Sequence, residues 1–188
     1  MKHSIKIFKS ATTKSILDVR SGLNYYKMNK SNEEVYKGNI IFTINEYGHS
    51  GEQAQAFIPK ETAKMVLDTI KQHYFPRIYP NGFVNYGGTP STKRARVFSL
   101  RYDSEKHRYV FQIDEGIGQV TKNGAVKMTK KEKTVMSFVS YEDTLKLAHE
   151  VSDFILQAEI VAMLNGKPLY TIMPSLRTIK EKQGQGIM

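Results

Sequence analysis

No cysteine occurs in this 188-residue chain, so it can build no disulfide framework, no thiolate metal site and no cysteine nucleophile. No apolar run approaches the roughly 18 residues that a membrane-spanning helix needs. The opening "MKHSIKIFKSATTKS" lacks the apolar stretch and small-residue cleavage site of a secretory signal. The expectation is a soluble protein of a reducing compartment, the cytoplasm, with no membrane partner. Acidic residues are also scarce. Eighteen Asp and Glu face 28 Lys and Arg, a net charge of +10 and a pI near 9.6. That balance favours a polyanionic partner, because each neutralised phosphate releases a condensed counterion. A hydrophobic content of 40% with 24% charged residues describes an ordinary globule rather than a disordered chain.

The motifs of catalysis are missing as well. The five histidines, His3, His49, His73, His107 and His149, lie in no metal-ligand spacing such as HExxH. "YGHSG" does not meet the G-x-S-x-G pattern of a nucleophile elbow, and there is no P-loop. Asp114 and Glu115 in "QIDEGIG" could hold a divalent metal for phosphodiester attack. The glycines that follow them read instead as a turn carrying solvated acids. The sequence therefore offers no catalytic residues, no metal site and no cofactor.

What is present is a pattern that occurs twice. Segments 4–8, 15–28, 39–47 and 53–58 carry Ile, Val, Phe, Tyr and Thr with partial alternation and read as four strands. Pro59 sits where a first helical residue can lack its N–H. Ala63, Val66, Leu67, Ile70 and Tyr74 follow at helical spacing. Residues 76–93, with three Pro and three Gly, read as a linker or long loop. Four strands are then expected at 95–102, 108–114, 124–128 and 134–139. Ser140 is placed to cap a helix, with Asp143 three residues on. Leu147, Val151, Phe154, Ile155, Ala158 and Ala162 mark that helix as about six turns long. The fold class expected is α+β: two β-β-β-β-α repeats with antiparallel sheets around a pair of core helices. Repeat one would span 1–75 and repeat two 94–165, in one pseudo-symmetric domain, followed by a polar extension over 166–188.

Alternation also sorts each strand into a core face and an open face. Ile40, Phe42, Ile44, Phe98, Leu100, Tyr109, Phe111 and Ile113 fall on core faces. Lys6, Arg20, Tyr26, Arg101, Arg108 and Lys127 collect on the open ones. Cations for phosphates with scattered aromatics for bases suit a single-stranded nucleic acid. Two basic stretches add to them, "STKRAR" with Lys93, Arg94 and Arg96, and "KMTKKEK" with Lys127, Lys130, Lys131 and Lys133. Tyr79, Phe83 and Tyr86 in the linker either stack on bases or pack the linker down.

The repeated element order, the basic surface and the lack of catalytic residues resemble the Whirly proteins. These belong to the single-stranded DNA-binding superfamily of the transcriptional coactivator positive cofactor four. Compact size and a Lys/Ile/Asn-rich composition are similar to the version carried by lactococcal bacteriophages. Locally, Lys37 and Gly38 of "YKGNIIF" match the first two residues of the family's Lys-Gly-Lys motif, with Asn39 in place of the second lysine. The resemblance implies helices paired about a pseudo-twofold axis and sheets carrying DNA across their edges and faces. It also implies a homo-oligomer, a dimer or a tetramer. The function expected is sequence-independent single-stranded DNA binding in phage replication or recombination, inside the bacterial host, alongside replication or recombination proteins. The nucleic-acid-binding residues expected are Lys6, Arg20, Tyr26, Lys37, Tyr86, Arg94, Arg96, Arg101, Arg108 and Lys127. A metal-dependent nuclease or junction resolvase is one alternative, and a structural or virion interaction protein is another.

Overall fold

In the computed structural model the described residues are 4–23, 26–28, 34–36, 38–48, 51–122 and 124–166, with backbone alone for 26–28, 34 and 35. The first unit runs β1 (Lys6–Ala11), β2 (Ser15–Gly22), a short hairpin β3 (Tyr26–Met28) and β4 (Glu34–Tyr36), β5 (Asn39–Glu46), β6 (Gln53–Pro59) and helix α1 (Lys60–Lys71). Its sheet has the order β1-β2-β5-β6, all neighbours antiparallel, and β3–β4 stand apart as a two-stranded pair. The expected strand 15–28 is thus two strands, broken after Gly22. Strand β5 is central, paired with β2 and β6: Ile40, Phe42 and Ile44 are buried on one face, as a period of two dictates. Pro59 ends β6 and caps α1 rather than opening it.

The second unit begins inside the supposed linker. A one-turn helix α2 (Phe75–Ile78) leads into β7 (Phe83–Thr89), then a 3₁₀ turn at Pro90–Thr92 and β8 (Arg94–Asp103). The expected segments 124–128 and 134–139 form a single strand, β10 (Val126–Ser140), paired along its length with β9 (Arg108–Val120). Helix α3 (Tyr141–Leu164) follows. The sheet order is β10-β9-β8-β7, so the expected count of four is right, with different members. Register shifts at Met128/Lys130 and Lys131/Lys133 let β10 run through the lysine-rich stretch. Such bulges bend and coil a strand pair. The architecture is therefore two four-stranded antiparallel sheets, each followed by a helix. The extension 167–188 lies outside the described residues.

One core serves both units. Phe42 of the first sheet lies 5.0 Å from Phe98 and 6.2 Å from Phe111 of the second. Helices α1 and α3 run antiparallel. At one end the buried Lys60 Nζ donates to Glu159 Oε1 at 2.7 Å. At the other, His73 beyond α1 is hydrogen-bonded to the Tyr141 hydroxyl at the start of α3. Among the described residues no helix is long and apolar enough to cross a membrane.

The cap read from the sequence is present: Ser140 Oγ accepts from the Asp143 N–H at 3.1 Å. Asp143 does not complete a reciprocal box. Its carboxylate accepts from Lys146 at 3.2 Å and from Ser10 at 3.4 Å. Ser140→Ala is expected to lower stability by about 1 kcal/mol, read as a shifted urea midpoint with an unchanged slope. An unshifted midpoint would show that Asp143 N–H is satisfied by water instead.

Candidate nucleic-acid interface

Cross-strand partners share a face of a sheet, so the register sorts the second sheet row by row. On its inner face, Phe83, Phe98, Leu100, Phe111, Ile113, Val135 and Val139 are buried beneath the first sheet and the helices. Along the same face come the row Gly87–Arg96–Glu115–Lys133 and then Thr89–Arg94–Ile117–Lys130. Strand β6 crosses the sheet here. Its Gln53 carbonyl accepts from Lys133 Nζ at 2.6 Å on β10, and its Phe57 ring lies 5.9 Å from the Arg96 guanidinium on β8. Between β6 and β7 a cleft of about 510 Å³ opens, lined by Ala56, Phe57, Asn85, Gly87, Gly88, Thr89, Arg96 and Phe98.

The cleft combines three kinds of chemistry. Phe57 is 42% exposed and offers a flat apolar face. Arg96, fixed by Glu115 Oε1 at 3.1 Å, can stack on a ring and reach a phosphate. The Asn85 side chain offers amide donors and an acceptor to a base edge. A Cβ at Gly87 would meet nothing within 4 Å, so the bare backbone forms one open wall. Phe57, Asn85 and Gly87 were not among the residues picked from the sequence. Phe57 falls in segment 53–58, read from the sequence as a strand without a binding role, and the other two fall in the supposed linker.

The ten expected residues are spread over both sheets. Lys6 and Arg20 sit on the outer face of the first sheet, where Asp18 draws both, at 2.9 Å and 3.7 Å. Tyr26 pairs with Tyr36 through the backbone, its side chain outside the described set, and Lys37 lies outside the described residues altogether. Arg94 and Arg96 both belong to strand β8, which begins at Arg94, and Arg94 is ion-paired with Glu132. Tyr86 and Arg101 occupy the outer face of the second sheet, Tyr86 74% exposed. Arg108 is held by Asp103 at 3.1 Å and lies 4.3 Å over the Phe138 ring. Lys127 stands on the β9–β10 hairpin. Arg96 is the one of the ten that lines the cleft. Among the described residues Lys9, Lys14, Arg77, Lys93, Arg101, Lys122, Lys127 and Lys130 have no ion-pair partner.

Asp114 and Glu115 are strand residues, not members of a turn. Being adjacent on β9, they point to opposite faces. Asp114 accepts from Thr134 Oγ1 at 2.7 Å and from Gln112 Nε2 at 3.0 Å, whereas Glu115 pairs with Arg96 and Lys133 on the other side. Two carboxylates so arranged cannot share a metal ion. No group of three or more metal-ligating side chains occurs among the described residues. The histidines are less scattered than their spacing suggests. His107 stacks on Tyr141 at 4.5 Å, with its Nδ1 2.6 Å from the Tyr102 hydroxyl. His73 and His107 both have positive φ, 60° and 45°, which is uncommon for residues other than glycine.

No protein-family model and no curated protein matches the sequence. Solved structures do. WHY1 from Arabidopsis thaliana is similar with a TM-score of 0.56 at 7% identity, over 88% of this chain and 93% of that one. WHY3 from the same plant gives 0.55 at 9%, over 88% and 94%. The plant transcriptional regulator PBF-2 gives 0.56 at 9% over the whole of both chains. At such identities the likeness is one of fold. The two sheet-and-helix units of this chain have the Whirly architecture that the element order led us to expect.

Proposed function

We propose that this chain binds single-stranded DNA with little regard to sequence. The observation that carries the reading is the cleft between β6 and β7, where Phe57, Arg96 and Asn85 surround a bare glycine backbone. Such a cleft suits an unstacked base, which a paired duplex does not present. The unpaired cations on both sheets supply phosphate contacts outside it. The fold shared with Whirly structures supports the same reading. A place in phage DNA replication or recombination, in the cytoplasm of a bacterial host, rests on the sequence resemblance alone. The test is fluorescence anisotropy of a labelled oligothymidine at several salt concentrations. Tight binding whose logarithm falls linearly with log salt is expected. No binding at low salt would sink the proposal.

A homo-oligomer is part of this reading. The last turns of α3 expose Leu156, Ile160, Val161, Met163 and Leu164, each by about half or more. Apolar residues clustered in this way mark an interaction surface. Leu156→Glu with Ile160→Glu is expected to convert the oligomer to a monomer in light scattering. A wild-type chain that is already monomeric at micromolar concentration would refute the oligomer.

A further inference from the structure

Building on the single-strand reading of the cleft, we propose that the β9–β10 hairpin is a second nucleic-acid site, for the duplex beside a single strand, so that the preferred ligand is a single-/double-strand junction. Strand β8 pairs with β9 only as far as Arg94↔Ile117, while β9 and β10 continue through Gly118↔Met128, Gln119↔Lys127 and Val120↔Val126. Past the sheet they form a two-stranded ribbon, about 10 Å long at 3.3 Å per residue. A ribbon of this kind is one of the two elements that the major groove of a duplex admits.

The ribbon is joined to the cleft. A Cβ on Gly88, which lines the cleft, would lie 2.6 Å from Val126 Cβ, and one on Gly118 would lie 2.5 Å from Val126 Cγ1. The absence of side chains at these two positions lets Val126 seat the ribbon against the back of β7, the strand whose other face walls the cleft. By register, Lys127 and Lys130 face the same way as Arg96, the side on which a duplex continuing the strand in the cleft would lie. Lys122 stands at the tip. These three lysines have no ion-pair partner among the described residues, and all are exposed.

The chemistry of the two places differs. The cleft has a phenyl ring and a guanidinium, on which bases stack. Residues 116–133 contain no aromatic residue and no arginine. The ribbon can grip phosphates but offers nothing to unpaired bases, as suits a backbone whose bases are already paired. The bulge at Met128/Lys130 coils the ribbon at its base, and a coiled pair of strands can follow a groove.

The test compares three labelled ligands: a single strand, the same strand as a tail on a duplex, and the blunt duplex. They are measured with the wild-type chain and with Lys122→Ala/Lys127→Ala/Lys130→Ala. The wild type is expected to prefer the tailed duplex. The triple variant should lose that preference, its affinity for the tailed duplex falling by a larger factor than its affinity for the single strand. Losing three phosphate contacts lowers the salt slope on the tailed duplex by about 2.7, or about 40-fold less loss of affinity between 50 and 200 mM salt. Equal weakening on tail and tailed duplex would make the ribbon a continuation of the single-strand track and overturn the proposal. So would a wild type indifferent to the duplex. Failure of the single-strand reading looks different: the blunt and tailed duplexes would then bind alike and the single strand not at all.

Discussion

Glu159→Ala is expected to destabilise the fold by about 3–5 kcal/mol, the cost of removing one partner from a buried ion pair. Lys60 and Glu159 are 1% and 5% exposed at the side chain and 2.7 Å apart. A buried ammonium would lose its nearest anion. Glu61 remains at 3.8 Å but is 46% exposed, and the Tyr36 ring lies 5.8 Å away. These soften the loss and place it near the lower end of the range. Replacing both Lys60 and Glu159 with methionine should restore most of the stability, because the desolvation cost of both charges disappears. Denaturant midpoints for the single and double variants decide the matter. A single-variant loss below about 1 kcal/mol would mean that water reaches the pair.

The same pair sets a pH dependence. Burial works against the Glu159 charge, but hydrogen bonds from Lys60 and Lys64 outweigh it and hold the carboxyl below its ordinary value. A carboxyl with a depressed folded-state pKa stabilises the fold above its unfolded pKa. That contribution is lost as pH falls through the folded value. Wild-type stability should therefore decline in acid more steeply than that of the double-methionine variant.

Gly87→Phe is expected to abolish most single-strand binding while leaving the fold intact. A Cβ there projects into open space, so the new ring fills the cleft without displacing a neighbour. If one stacked base is excluded, about 1–3 kcal/mol of binding is lost, a factor of about 5 to 150. Phe57→Ala removes the platform and should weaken binding in the same direction. Arg96→Lys keeps the charge but not the plane, and should fall between wild type and Arg96→Ala. Anisotropy titrations with thermal melts on the same samples separate binding from folding. Unchanged affinity in Gly87→Phe would show that DNA passes the cleft by.

The helices were legible because each buries one face: Val66, Leu67 and Ile70 on α1, Leu147, Val151 and Ile155 on α3. Central strand β5 was legible from its alternation. Strand β7 was not. Its glycines form the cleft wall and its neighbours are Pro80 and Pro90, so the composition imitates a loop. Strand β10 was split in two because its middle, past the covered core, presents Lys130, Lys131 and Glu132 to water on both faces. Alternation carries no signal where neither face is dry. The cleft was illegible for another reason. Phe57 and Arg96 meet only because β6 crosses the second sheet, and single-strand patterns hold no record of that crossing.

The shared core has a consequence for how the chain reaches this state. Phe42 is covered by rings from the other unit, and the Lys60–Glu159 bond closes a span of 99 residues. A first unit alone would expose its inner face to water, and so would a second. Neither half is then an autonomous folding unit, and the chain should unfold in one transition. Contacts so distant along the chain also slow folding, since loop closure comes before its reward. If the two passages descend from one duplicated ancestor, that ancestor met its own copy across this interface as a separate molecule. Fusion replaced an encounter between chains with a closure within one.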